Sequence, residues 1–199
     1  LTIDTQCCSG MDAIIAGIKS IKSGSADIVI AGGAESYSRA PLRYSKPLNP
    51  THSPIQYFQP PFSPFPVNDP EMAVAAADLA KMFGVTRELQ ANWAVNSHKK
   101  ACEAVNDNKW KGEISELLSI NNDEFTRRLT LATCSRAKCL AGEPLYAVDS
   151  ATSAVSADGA AVVIIVSKNA LNSINPNNFV LCGSIVQVGG GPSLPGLVP

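Results

Sequence analysis

The sequence predicts an α/β fold, and three stretches carry that prediction. Residues 28–31, Ile-Val-Ile-Ala, and residues 160–166, Ala-Ala-Val-Val-Ile-Ile-Val, are apolar without alternation. Strands of that kind are covered on both faces, as in a parallel sheet flanked by helices. The third stretch is residues 11–21, where Ile14, Ile18 and Ile21 recur at helical spacing. Met11, Ala13, Ile15, Ala16 and Gly17 make its other faces small or apolar too. A helix that is apolar nearly all round is buried on all sides.

The elements follow in order. Residues 1–5, with two threonines and an isoleucine, suit a half-buried strand. A sharp turn with Cys7 and Cys8 leads into the first helix, Ser23-Gly24-Ser25 breaks it, and the strand at 28–31 follows. Nine of the fourteen prolines then fall between Pro41 and Pro70, among Tyr44, Tyr57, Phe58, Phe62 and Phe65. Proline removes backbone donors and fixes φ, so this stretch is an irregular excursion, a functional lid or binding loop. Its aromatics argue against disorder, and no Pro-x-x-Pro array supports a polyproline ligand. Asp69-Pro70 is expected to cap and open a helix through residues 73–80, closed by Gly84 in left-handed geometry. A second helix is expected from Thr86 to about Asn106. Leu89, Trp93, Ser97, Ala101 and Val105 form its packed face, and Lys99, Lys100 and Glu103 are solvated. His98 on this helix reads as a surface or half-buried histidine. Residues 120–147 show no clean period, residues 172–178 form a polar break around Pro176, and residues 179–188 read as a last strand before a glycine-rich end.

Cys7 stands where a strand hands over to a buried helix. The first N–H groups of a helix lack intrahelical partners, and the dipole adds positive charge there. Both favour a thiolate, which is the nucleophilic form. The residues alone leave a second reading open, in which Cys7 and Cys8 are small core side chains.

Composition excludes several classes. Of 199 residues, 45% are hydrophobic and 17% charged, which is ordinary for a folded protein. A net charge of −1 gives no basic field for nucleic acid. No run of eighteen apolar residues occurs, so no helical span of a membrane is expected. The six cysteines form no Cys-x-x-Cys, and His52 and His98 are not spaced with them as zinc ligands, so no metal site is expected. All six read as free thiols of a reducing compartment, bacterial cytoplasm or an organelle matrix.

Gln6-Cys7-Cys8-Ser9-Gly10-Met11, followed by Gly32-Gly33-Ala34-Glu35-Ser36-Tyr37-Ser38, closely resembles the nucleophile segment of the thiolases. Thr86-Arg87-Glu88-Leu89-Gln90 through Ala94 to Ala101, then Asp123-Glu124-x-x-Arg127, then Ser156-Ala157-Asp158-Gly159-Ala160-Ala161, match further landmarks of that family in order. The resemblance spans nearly all of the chain. It implies the thiolase fold, layered α-β-α-β-α when complete, of which this sequence covers most of the N-terminal half plus the loop domain. The implied divisions are residues 1–44 for that half with its nucleophile, 45–145 for an inserted loop domain, 146–168 for the half's last part, and 169–199 for the start of a second half.

By position the resemblance makes Cys7 the acyl-accepting cysteine, while Cys8 stands where the family has a small residue. It places Met72 beside the acyl thioester, Arg127 near the nucleotide end of coenzyme A, Ser153 at or beside the serine that bonds pantetheine, and Cys134, at a family serine, among the residues that bind the coenzyme. It implies acyl transfer between coenzyme A thioesters, by thiolysis of a 3-ketoacyl thioester or the reverse Claisen condensation, in fatty-acid metabolism (beta-oxidation). Coenzyme A and acyl-CoA are then substrates, with no tightly bound cofactor, no nucleic acid and no membrane as partners. A homodimer or homotetramer is implied for the complete protein. The sequence departs from the family where Ser150 to Val155 replace its usual pantetheine-loop residues, so that a strict register sets Ala154 at the serine. Glu71 replaces a histidine. Neither the family's Asn-Glu-Ala-Phe and Gly-His-Pro motifs nor its second cysteine segment occurs, and its first strands are missing, so the chain is expected to be part of a polypeptide about twice as long and inactive by itself. A ketoacyl synthase of the same fold and a non-catalytic acyl-thioester or lipid-binding relative are the rival readings. Downstream histidines would mark the first, and an intact Cys7 speaks against the second.

Overall fold

The computed structural model describes residues 1–174 and 176–198. In chain order its elements are α1 (Ser9–Lys22), β1 (Ile28–Glu35), β2 (Arg43–Tyr44), β3 (Gln56–Tyr57), α2 (Met72–Met82), α3 (Arg87–Asn106), α4 (Leu131–Ser135), β4 (Cys139–Ala141), β5 (Val148–Asp149), β6 (Gly159–Val166) and α5 (Lys168–Ile174). Short 3-10 turns precede α1 (Gln6–Cys8) and follow β1 (Tyr37–Arg39). These elements fall into two units, Leu1–Gln59 with Ser156–Gln187, and Pro60–Val155 with Val188–Pro199.

In the first unit β1 pairs with β6 from Ile28 opposite Val166 to Glu35 opposite Gly159. Helix α1 lies on one face of this ribbon, where Ile18, Ala31 and Ile165 are buried with Ala13, Ile14, Ile21, Val29 and Ile185 packed against them. Burying side chains of the Ile or Val class contributes about 1.5–3 kcal/mol each. Gly17 lets the helix approach, since a Cβ there would stand 2.7 Å from Ile165 Cδ1 and 3.1 Å from Val29 Cγ1. Gly24, at φ +74°, ends α1 as the sequence predicts.

Three expectations are corrected in this unit. The ribbon is antiparallel rather than parallel. Unbroken apolarity reports that two faces are suited to burial; it says nothing of the direction of the neighbouring strand. Residues 1–5 and 179–188 are not strands. Strand propensity becomes a strand only through a partner's ladder, and among the described residues neither segment has one. The face of the ribbon away from α1 stays open, with Ile30, Val162 and Ile164 each 67–69% exposed. Ser167 accepts the Ala170 N–H at 3.2 Å and opens α5, which runs into the predicted polar break. The proline-rich stretch forms only the β2–β3 pairing, and Phe58 and Phe65 are exposed.

In the second unit α2 begins later than expected. Glu71, not Asp69, is its N-cap, accepting the Val74 N–H at 2.9 Å. Asp69 instead accepts the N–H groups of Phe62 and Ser63 at 3.0 and 2.7 Å, because the irregular loop leaves those donors free. Gly84, at φ +66°, closes α2, and Thr86 caps α3 by accepting the Leu89 N–H at 3.3 Å, both as predicted. The packed face of α3 is rotated from the predicted one. Ala91 is buried with Leu129, Cys134 and Ala151, with Ala94, Val95 and Ala137 against them, while Trp93 is 78% exposed. Small side chains let the segment around α4 approach closely, which the long residues on the other face would prevent. Lys99, Lys100 and Glu103 are exposed as expected.

Candidate active site

Cys7 lies in the 3-10 turn directly before α1, and both Cys7 and Cys8 are exposed free thiols. The turn is fixed by side chains of its own sequence. Ser9 Oγ accepts the Thr5 N–H at 2.9 Å and donates to the Gln6 carbonyl at 2.7 Å. Asp4 accepts the Gln6 N–H at 3.1 Å, and Thr5 donates its hydroxyl to Asp12 at 2.6 Å. These bonds hold Gln6 at φ +55°, a left-handed conformation that costs a non-glycine residue on the order of 1–3 kcal/mol. Strain of this kind, immediately before a candidate nucleophile, presents the next side chain outward at the start of a helix. Chain pattern alone gives no sign of it, because glutamine is not a residue one expects there.

At the Glu35–Gly159 end of the ribbon two motifs quoted separately from the sequence meet. Asp158, just before β6, accepts the Ser38 N–H at 2.8 Å and the Ser38 hydroxyl. Those donors hold the Asp158 carboxyl below the ordinary aspartate range. The contact ties the segment after β1 to the start of β6, so Glu35 and Gly159 stay paired.

The remaining candidates, Met72, Arg127, Cys134 and Ser153, belong to the second unit. Met72 is the exposed first residue of α2. Arg127 is half-buried, its guanidinium 4.5 Å from the centre of the Phe125 ring and donating to the Phe125 carbonyl at 3.3 Å. Its backbone N–H donates to His98 Nδ1 at 3.4 Å, and the His98 ring lies 5.6 Å from that of Phe125. Desolvation, and then the Arg127 charge, lower the pKa of His98.

Because that value lies below the one in the unfolded chain, the unfolded state binds the proton more readily. The stability from this site is therefore full above the ordinary histidine range and is lost as pH falls through it toward the lower folded value. We expect denaturation midpoints to fall more steeply between about pH 7 and pH 5 than in His98→Gln, whose amide can accept the Arg127 N–H but does not titrate in that range. Equal pH slopes for the two proteins would contradict this.

Cys134 is 1% exposed, inside the core formed by Ala91, Leu129 and Ala151. Burial raises its thiol pKa, as does the nearby Asp149 charge. Ser153 is half-buried and closes a turn on Asp149, donating its N–H and hydroxyl to the Asp149 carbonyl at 3.1 and 3.0 Å.

Asp149 itself is 0% exposed, and its charge is matched by Arg87, Nε to Oδ2 at 2.9 Å. The other carboxylate oxygen accepts the N–H groups of Ala151 and Thr152 at 2.9 and 3.1 Å. Arg87 also donates to the carbonyls of Cys134 and Ala137, at 3.3 and 3.1 Å. Sequence reasoning quoted Arg87 within a motif without giving it a role and passed over Asp149. An aspartate two residues before Ala151-Thr152, positioned to accept their N–H groups on its carboxylate, was the readable signal.

The thiolase N-terminal domain family matches residues 1–169. The chain belongs to the thiolase family. This thiolase sequence is 32% identical over 207 residues to "Putative acetyl-CoA C-acetyltransferase VraB" of Staphylococcus epidermidis RP62A, covering all of this chain and 53% of that protein. It is 32% identical over 209 residues to the protein of the same description from Staphylococcus aureus MRSA252, covering 54% of it. The chain thus spans about half the length of the curated relatives it matches. The crystal structure of human mitochondrial 3-ketoacyl-CoA thiolase in complex with CoA superimposes with a TM-score of 0.70, covering 88% of this chain and 46% of that one at 24% identity. At that identity the likeness establishes the thiolase fold, in agreement with the fold class expected from the sequence.

Proposed function

We propose that the polypeptide containing this thiolase half is an acyltransferase that works on coenzyme A thioesters through a covalent acyl group on Cys7. The observation that carries this reading is the turn before α1, where an exposed cysteine follows a residue held in left-handed geometry by Asp4, Ser9 and Asp12. Such a turn presents the sulfur to solvent at a helix start, where the first backbone N–H groups have no intrahelical partner.

In the thiolytic direction the Cys7 sulfur attacks the 3-keto carbonyl, and the bond between C2 and C3 then breaks. The departing carbanion takes up a proton and leaves as acetyl-CoA. The acyl thioester on Cys7 is then transferred to the sulfur of a second coenzyme A, and the reverse sequence is a Claisen condensation. Splitting the reaction into two acyl transfers is what covalent catalysis provides. Backbone N–H groups at the start of α1 would hold the thioester oxyanion. The same proposal assigns Met72 to the acyl side, Arg127 to the nucleotide end of the coenzyme, and Ser153 to pantetheine. Cys134 enters it as packing beneath the Ser153 loop. Fatty-acid breakdown is the metabolic setting that fits this chemistry, and the names of the relatives support its acetyl-transfer form.

The experiment takes the complete polypeptide and measures thiolysis of a 3-ketoacyl thioester at varied coenzyme A. Arg127→Ala should raise KM for coenzyme A by about tenfold and leave kcat nearly unchanged, the pattern of lost uniform binding. One charged hydrogen bond, on the order of 1.5–3 kcal/mol, sets that scale. Absence of any thiolysis or condensation in the unaltered protein would refute the proposal, and an unchanged KM would remove Arg127 from it.

A further inference from the structure

The 149–153 turn is joined to α3 and α4 by a single buried ion pair. Asp149, wholly inaccessible, accepts the N–H groups of Ala151 and Thr152 on one oxygen and the Arg87 guanidinium on the other. Arg87 is the first residue of α3, and its Nη2 reaches the last turn of α4 and the segment between α4 and β4 through the carbonyls of Cys134 and Ala137. Its own N–H donates to the Leu145 carbonyl at 2.8 Å, and Gln90, one turn on, donates to the carbonyls of Val85 and Tyr146 at 3.2 and 3.4 Å. One helix start therefore holds residues 145–153 at three points, Leu145, Tyr146 and Asp149, and Ser153 in turn hangs from the Asp149 carbonyl.

We propose that Arg87 is a positioning residue for coenzyme binding: through Asp149 it sets the conformation of the loop that carries Ser153. The proposal rests on the assignment of that loop to the pantetheine arm. Planar, forked guanidinium geometry is what the role needs, because one group must bond a carboxylate and two carbonyls at fixed angles. A lysine supplies the charge as a point and cannot reproduce the fork. The pair also differs from a surface ion pair in that its carboxylate has no access to water, so the loop has no alternative partner to exchange for Arg87.

The test uses the complete enzyme with Arg87→Lys, Asp149→Asn and Ser153→Ala, and two readouts. Hydrogen exchange of the peptide covering residues 149–155 reports the loop, and steady-state kinetics report its use. We expect faster exchange at Ala151 and Thr152 in Arg87→Lys and Asp149→Asn, with KM for coenzyme A raised about tenfold and kcat within about twofold, the signature of lost binding. Ser153→Ala should raise KM while leaving exchange at Ala151 and Thr152, whose N–H groups bond the Asp149 carboxylate, unchanged. A merely structural role would lower the amount of active enzyme and leave KM untouched, and that outcome overturns the proposal. So does unchanged loop exchange in both clamp variants. If exchange rises but neither the clamp variants nor Ser153→Ala alter KM, the assignment of the loop to pantetheine has failed. The positioning role falls with it, although the clamp itself stands.

Discussion

Cys7→Ala should lower turnover of the complete enzyme by at least about four orders of magnitude, whereas Cys8→Ser should keep it within a few-fold. The size follows from the role. Removing a covalent nucleophile leaves only binding and oxyanion stabilisation, and such residual catalysis is small. The contrast between neighbours follows from the turn. Both thiols are exposed, but only Cys7 directly follows Gln6 in its left-handed conformation, whereas Cys8 is the N-cap of α1 with ordinary right-handed backbone at φ −87°. Its side chain makes no cap hydrogen bond, so serine in its place disturbs nothing that holds the turn. A Cys8→Ser enzyme as dead as Cys7→Ala would mean that the nucleophile had been assigned to the wrong sulfur.

Arg87→Ala should cost the second unit about 3–5 kcal/mol, the range for removing one partner of a buried ion pair. Asp149 is fully buried, so its charge would be left facing apolar atoms of the core around Cys134 and Ala151. Two carbonyls, those of Cys134 and Ala137, would lose a charged donor at the same time. Because the Arg87 side chain is 30% exposed, water can reach part of the vacated space, and the lower end of the range is the better expectation. Chemical denaturation followed by tryptophan fluorescence reads the loss, since Trp93 and Trp110 both lie in this unit. A change under 1 kcal/mol, the size of a surface pair, would show that water solvates Asp149 after all.

Much of the first unit was legible because its signals are local. Helix α1 follows from isoleucine spacing and Gly24, and β1 and β6 follow from runs of β-branched residues. Strand direction was not legible, since it depends on which edges meet. The strands expected at 1–5 and 179–188 failed for the same reason, having composition without a partner. On α3, size misled: Leu89 and Trp93 mark a hydrophobic line, but the helix packs through Ala91 and Ala94, whose smallness is what permits contact. The site divides in the same way. Cys7 could be read from its motif and its place before a helix. Support for it from Gln6, and the clamp made by Arg87 and Asp149, could not, because strain and long-range pairing over 62 residues leave no periodic trace.

The measurement that bears most directly on the central claim is mass spectrometry of the peptide spanning residues 6–19, taken after brief exposure of the complete enzyme to an acyl-CoA or 3-ketoacyl-CoA and acid quench. The acyl mass should sit on Cys7, be absent in Cys7→Ala, persist in Cys8→Ser, and disappear on addition of excess coenzyme A as the acyl group is transferred. An acyl adduct that survives Cys7→Ala, or an enzyme that turns over with no adduct on this peptide, would contradict the account.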